Sequence, residues 1–100
     1  MTPSVFTTVL DDDRGLMRLE VNNGLQRVFV HLTLRKWGLG VARSVRDGLT
    51  ICKGTLRAMG VTRLNVIIPT GDPKLLRFEV WLGFREVKRT ADHVLLEQEC

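Results

Sequence analysis

The spacing of apolar residues changes at two glycines, Gly38 and Gly40. Before them, over 25–34, apolar residues alternate with more polar ones, which predicts a β-strand. After them, over 41–59, apolar residues recur every three or four positions, which predicts an amphipathic helix. The helical stripe consists of Val41, Val45, Leu49, Cys52, Leu56 and Met59. A strand that leads directly into a long helix favours an α/β or α+β fold.

Two further strand signals precede this joint. The segment "SVFTTVL" over 4–10 is rich in β-branched residues, and "LMRLEV" over 16–21 alternates with period two. The "NNG" sequence at 22–24 predicts a hairpin turn, because Asn and Gly tolerate a positive φ. We therefore predict a three-stranded antiparallel meander before the helix.

The segments after the helix predict one more strand, a second helix and a final hairpin. The apolar run over 61–69 is typical of a buried central strand, parallel to 25–34 after a right-handed crossover. Asp72 is the predicted N-cap of the second helix, Pro73 fits its first position and Gly83 ends it. The hairpin comes from "REVKR" and "HVLLEQ". The predicted order is β-β-β-α-β-α-β-β, with a mixed, twisted sheet.

Composition restricts the class of protein. The 100 residues predict one domain spanning 1–100, and 44% apolar with 26% charged residues is typical of a globular chain. No apolar run approaches the ~20 residues of a membrane span, and the N-terminus lacks a basic segment followed by an apolar one. We therefore expect a cytoplasmic protein with no membrane partner. The two cysteines and two histidines predict no metal site.

Positive charge is concentrated around the two glycines. The sequence has a net charge of +4, and residues 35–63 carry seven basic residues against one acidic residue, Asp47. Such a segment attracts a phosphorylated ligand, a nucleic acid or an acidic protein surface, or is simply a solvated helix face. A nucleic-acid partner is not favoured, because no recognition helix or RNA-binding aromatic motif is present.

Gly38 and Gly40 have two interpretations. They form a tight turn, or they let backbone N–H groups approach a phosphate at the positive end of the helix. The surrounding "RKWGLG" reads Arg-x-x-Gly-x-Gly between a strand and a helix, and "DPKLLRFEVWLGF" follows the next strand. Together these segments resemble the acetyl-coenzyme A motif of the GNAT superfamily of N-acetyltransferases. The resemblance covers roughly residues 15–97 and is specific over 28–45 and 64–84.

The resemblance implies an acyl-coenzyme A protein, with acetyl-coenzyme A as co-substrate and an amine of unknown identity as acceptor. It implies that the strand edge near Val30 binds the pantetheine arm, in a splay between this strand and the one ending near Ile68. Trp37 is expected to pack over the adenine or over the stem of Lys36, and Asp72 stands where the family usually has Asn. The implied contacts at the pyrophosphate come from Arg35, Lys36, Trp37, Gly38, Leu39, Gly40 and Val41.

The sequence departs from the family pattern in two ways. No helix is predicted before residue 25, although family members generally have two helices there that shape the acceptor side. The family's catalytic tyrosine is replaced by Glu79, and the chain has no tyrosine. Glu79 is expected to be a solvated helix residue, or catalytic if it is protonated or acts as a base. His31 is either a general base or a strand histidine without catalytic duty.

These departures leave two function classes open. The chain is an N-acetyltransferase, or a catalytically silent GNAT-fold module that binds other proteins, such as a small effector or a virus-encoded protein. Because the missing helices leave a sheet face or edge open, we expect a homodimer or a protein partner.

Overall fold

The computed structural model describes residues 4–22 and 27–100, so most of the turn predicted at 22–24 lies outside the described residues. The predicted order of elements, β-β-β-α-β-α-β-β, is confirmed. The strands and helices are β1 Ser4–Asp11, β2 Gly15–Asn22, β3 Arg27–Leu34, α1 Leu39–Ala58, β4 Arg63–Pro69, α2 Pro73–Trp81, β5 Arg85–Arg89 and β6 His93–Glu99. Neither α1 nor α2 is long and apolar enough to cross a lipid bilayer.

The strands form one mixed six-stranded sheet in the order β1-β2-β3-β4-β6-β5. The first three strands pair antiparallel, which confirms the predicted meander. β3 and β4 are connected by α1 and pair in parallel. β6 lies between β4 and β5 and is antiparallel to both. The parallel pair in the middle of the sheet is therefore flanked by antiparallel strands on both sides.

The parallel pair is short. Its register includes only Val28 with Leu64 and Phe29 with Asn65, whereas β4 pairs with β6 along its whole length. Beyond these two pairs, β3 and β4 separate towards their C-terminal ends. The sheet therefore contains a gap between residues 30–34 of β3 and residues 66–69 of β4.

Both helices contribute to one buried cluster on a single face of the sheet. Alternate residues of β2, β3, β4 and β6 point into this cluster, because side chains alternate between the two faces of a strand. Its most buried members are Met17, Val45, Leu64, Val94 and Leu96. The other face, which we call the open face, includes Phe6, Glu20, Phe29, His31 and Ile67.

The start of α2 follows its sequence signals. An Asp72 carboxylate oxygen accepts a hydrogen bond from the Leu75 backbone N–H at 3.0 Å, and Pro73 occupies the first helical position. The helix gives way to β5 at Gly83, whose φ of 106° lies in the region that glycine favours. The predicted N-cap role of Asp72 is confirmed, and it fixes where α2 begins beside the gap.

Candidate active site

The gap between β3 and β4 holds a pocket with a volume of about 190 Å³. A second pocket of about 260 Å³ shares Leu32, Thr33 and Leu75 with it, so the two pockets adjoin, and we call them together the groove. The groove runs from the gap, past the start of α2, to Trp37 in the loop before α1. Two titratable side chains line it within the gap, Glu79 and His31.

A larger concavity of about 650 Å³ lies at the opposite ends of β3 and β4. Three of its polar side chains contact one another: Arg63 pairs with Glu97 at 3.4 Å, and the Asn65 amide donates to a Glu97 carboxylate oxygen at 3.4 Å. The groove in the gap, by contrast, contains a buried polar group that has no partner. We therefore take the groove as the candidate site.

That group is the carboxyl of Glu79. Its side chain is 1% exposed, and neither carboxyl oxygen has a hydrogen-bond partner. Burial raises its pKa from 4.5 to about 7. The expectation of a solvated helix residue is therefore wrong. The physical reason is helical spacing: Glu79 lies one turn after Leu75, so both residues face the gap.

The buried carboxyl has consequences for the chemistry of the groove. Its charged form lacks both water and a compensating partner, so burial favours the neutral acid. With a pKa of about 7, the group exists in both protonation states near neutral pH. A neutral carboxyl donates one hydrogen bond and can give up its proton. Glu79 is thus equipped for proton transfer to a group bound in the gap.

His31 lies on the open face, where alternation along β3 places it. Its side chain is 51% exposed, and its Nε2 lies 2.8 Å from a Glu20 carboxylate oxygen. Since a carboxylate only accepts hydrogen bonds, this contact favours the tautomer with the proton on Nε2 and a lone pair on Nδ1. The Phe6 ring lies 5.7 Å from the imidazole and sits beneath the Arg18 guanidinium at 4.5 Å.

The two glycines at the start of α1, Gly38 and Gly40, differ in whether the backbone conformation requires a glycine. Gly38 has a φ of 151° and precedes the helix, so its backbone conformation explains the residue. Gly40 has no positive φ, and a Cβ built on it meets no atom within 4 Å. No side chain caps the helix start and no acidic residue occupies its first turn. Neither backbone conformation nor packing therefore explains Gly40.

Arg35 and Lys36 lie beside the turn between β1 and β2. Arg35 pairs with Asp11 at 2.8 Å, and the Lys36 ammonium pairs with Asp13 at 2.8 Å. The latter pair lowers the pKa of Asp13 and raises that of Lys36. All four side chains are exposed, and solvent-screened pairs of this kind contribute little to stability. Both cations are therefore able to exchange partners at small cost.

Trp37 packs edge-on against Phe78, with ring centroids 5.6 Å apart. The Lys74 ammonium lies over its ring at 4.1 Å, and the Lys36 ammonium pairs with Asp13 instead. Trp81 lies on the other side of Phe78, half exposed, with the Arg46 guanidinium 5.4 Å from its ring. Trp37, at the end of the groove, is therefore part of an aromatic cluster that basic side chains flank.

No protein-family model matches the sequence, and neither does any curated protein sequence. Solved structures do match. The N-acetyltransferase PseH from Campylobacter jejuni is 16% identical over 85% of this chain and 58% of its own, with a TM-score of 0.64. A spermidine N-acetyltransferase from Vibrio cholerae, solved with CoA and spermine, is 18% identical over 85% and 57%, with a TM-score of 0.65.

A GNAT-family chain from Bordetella pertussis is 22% identical over 95% of this chain and 65% of its own, with a TM-score of 0.64. The Vibrio cholerae spermidine enzyme has also been solved as a dodecamer. The present chain spans only 57–65% of the length of these three structures. The comparisons confirm the predicted GNAT-like fold.

Proposed function

Because the chain has the fold of the GNAT acetyltransferases, we propose that it binds acetyl-coenzyme A and transfers the acetyl group to an amine. The observation that carries this proposal is the groove from Trp37, in the loop before α1, to the gap between β3 and β4. Its course fits an extended ligand with an anionic end near the start of α1 and a reactive end in the gap. The buried acid and the exposed imidazole in the gap supply groups that can move protons.

The pyrophosphate is proposed to sit at the start of α1. The backbone N–H groups of Leu39, Gly40 and Val41 have no intrahelical acceptor there, and the helix dipole favours negative charge. The open space at Gly40 supports the proposal, because a side chain at this position would project where phosphate oxygens approach. Phosphate binding would then explain the glycine at position 40, which neither backbone conformation nor packing explains.

Two basic residues and one aromatic residue complete the proposed contacts. Arg35 and Lys36 exchange their exposed carboxylate partners for phosphate oxygens, with which they form charge-assisted hydrogen bonds. Trp37 stacks against the adenine from its position at the end of the groove. Asp72 lines the same end, where its carboxylate stays engaged in capping α2.

The pantetheine arm is proposed to follow β3. Beyond Phe29, the side of β3 that faces β4 has no ladder partner, because the two strands have separated. Its backbone groups from Val30 onward are therefore available to the two amides of the arm, in the way that an edge strand binds an extended peptide. The thioester then lies in the gap.

The acceptor amine is proposed to enter from the open face. It attacks the thioester carbonyl carbon, and the His31 imidazole accepts the proton that the amine nitrogen loses. Glu20 holds the imidazole in the tautomer that this step needs and stabilises the imidazolium that forms. General-base assistance of this kind contributes typically ~10²–10⁴-fold in rate.

Isothermal titration calorimetry with acetyl-coenzyme A tests the binding step. Gly40→Val should weaken binding by about tenfold to a hundredfold, the loss of one or two hydrogen bonds to a charged group. Gly54→Val is the matched control, because Gly54 also lies in α1 and a Cβ there also meets nothing within 4 Å. It should bind as the wild type does. Equal affinity of both variants, or no binding by the wild type, contradicts the proposal.

We also propose that the chain associates with a second copy through β1, an edge strand of the sheet that the described residues form. The outer side of an edge strand offers backbone groups to another chain, and Val5 on β1 is 55% exposed. Sedimentation over a micromolar concentration range should show dimers, and Val5→Asp should shift the equilibrium towards monomer. A wild type that stays monomeric throughout contradicts this proposal.

A further inference from the structure

We propose that the acceptor amine carries an anionic group, a carboxylate or a phosphate, and that Arg27 and Arg63 bind this group. Both arginines line the concavity of about 650 Å³ at the N-terminal ends of β3 and β4. The inference rests on the proposed function, because it extends the path of the acceptor from the gap along the open face. It assigns a ligand to a concavity that lies away from the proposed coenzyme site.

The strand register places the two arginines side by side. Val28 pairs with Leu64 in the parallel ladder. Arg27 and Arg63 each precede one of these residues, so they are neighbours on the open face. Like charges at neighbouring positions of adjacent strands repel each other. An anion bound to both guanidinium groups removes this repulsion and accepts charge-assisted hydrogen bonds from them.

The charges that line the concavity favour an anion over a cation. Its lining contains one carboxylate, Glu97, which pairs with Arg63 and accepts a hydrogen bond from the Asn65 amide. The Arg63 side chain is 60% exposed and that of Glu97 is 14% exposed, so the cation of this pair is the accessible partner. Arg27 is exposed and forms no ion pair with another described residue. A ligand in the concavity therefore meets two accessible positive charges.

The surface between the gap and the concavity suits the body of such an acceptor. Phe29 lies between His31 and Arg27 on the same face of β3, and it pairs with Asn65 on β4. The carboxylate beside this path, on Glu20, already binds the His31 imidazole. A second ammonium group on the acceptor would therefore have to compete with His31 for Glu20, whereas an anionic group finds Arg27 without a competing carboxylate.

The distance along β3 sets the length of the acceptor. Four positions of extended strand separate His31 from Arg27, about 13 Å. An extended tetrapeptide has about the same length, so tetraglycine with its amino group in the gap reaches the arginines with its C-terminal carboxylate. Tetraglycine amide has the same shape without the negative charge. Triglycyl-phosphoserine amide carries a phosphate near the same end and distinguishes the two kinds of anion.

Acetyl transfer to these three peptides tests the preference. For the wild type, kcat/KM with one of the two anionic peptides should exceed that with tetraglycine amide by about tenfold to a hundredfold, the value of a hydrogen bond to a charged group. In Arg27→Gln this ratio should fall towards one. The matched control is Arg89→Gln, an exposed arginine on β5 outside the concavity and the groove, which should keep the ratio. Equal kcat/KM for all three peptides, or an unchanged ratio in Arg27→Gln, overturns the inference.

A titration without coenzyme separates a failure of this inference from a failure of the proposed function. The side-chain Nε–Hε NMR signals of Arg27 and Arg63 should shift when tetraglycine or the phosphoserine peptide is added, and shift less with tetraglycine amide. Arg27→Gln assigns the Arg27 signal, and its amide spectrum shows whether the variant is folded. Shifted arginine signals in a protein that does not bind acetyl-coenzyme A contradict the proposed function but support the anion site. Arginine signals that move with neither anionic peptide overturn the inference, whatever the rates of transfer.

Discussion

The buried Glu79 carboxyl should make the wild type less stable as pH rises, and Glu79→Gln should remove this effect. In the unfolded chain the group titrates at about 4.5, and in the fold at about 7. Between these values the folded state holds a proton that the unfolded state has lost. The associated stability is therefore fully present below about pH 4.5 and is lost as pH rises through about 7.

The size of the effect follows from the two pKa values. A change from 4.5 to about 7 corresponds to about 3 kcal/mol in the free energy of unfolding. The group is 1% exposed, so solvent screening reduces this figure little. A glutamine has a similar shape and no charge at any pH. At about pH 5, Glu79→Gln and the wild type should therefore be similarly stable, and at about pH 8 the variant should be more stable by about 3 kcal/mol.

Urea unfolding at about pH 5 and about pH 8 measures this difference. The midpoint of the variant should exceed that of the wild type by about 1–3 M urea at the higher pH, with unchanged slopes. All other groups titrate alike in both proteins and cancel in the comparison. A variant less stable than the wild type at the higher pH, or an equal difference at both pH values, would refute the reasoning.

Three further predictions concern the fold. Asp72→Ala removes the N-cap of α2 and should cost about 1 kcal/mol in urea unfolding. Arg14→Met should raise the pKa of Asp12 from about 2 towards 3.8 by NMR titration, because the Arg14 side chain is the main cause of the low value. The stability linked to Asp12 is present above about pH 3.8 and is lost as pH falls through about 2. Leu64→Ala, at a position with 0% exposure, should lower the free energy of unfolding by about 2–5 kcal/mol, measured by urea unfolding.

Local patterns in the sequence predict most of the fold. The stripe over 41–59 predicts a helix that the structure places at Leu39–Ala58, and Asp72 marks the start of α2. Both depend on residues within a few positions of one another. The separation of β3 and β4 after two residue pairs depends on how distant segments pack, and no local pattern in the sequence reveals it.

The burial of Glu79 shows a different limit. A charged residue on a helix is usually solvated, and residue type alone predicts exposure. Its position in the helix indicates burial instead, because Glu79 lies at helical spacing from the apolar residues Leu75, Phe78 and Leu82. The partners of Arg35 and Lys36 follow from strand register instead. Gly15 pairs with Leu34, which brings the acidic turn at 11–14 beside 35–36.

The most direct test of the proposed site is a titration of the ¹⁵N-labelled protein with coenzyme A, followed by amide chemical shifts. The largest changes should occur at Leu39, Gly40 and Val41 and along 30–33 of β3. The amides of Arg63 and Glu97, at the opposite concavity, should change little. Changes centred on Arg63 and Glu97, or no changes at all, would contradict a coenzyme site between the start of α1 and the gap.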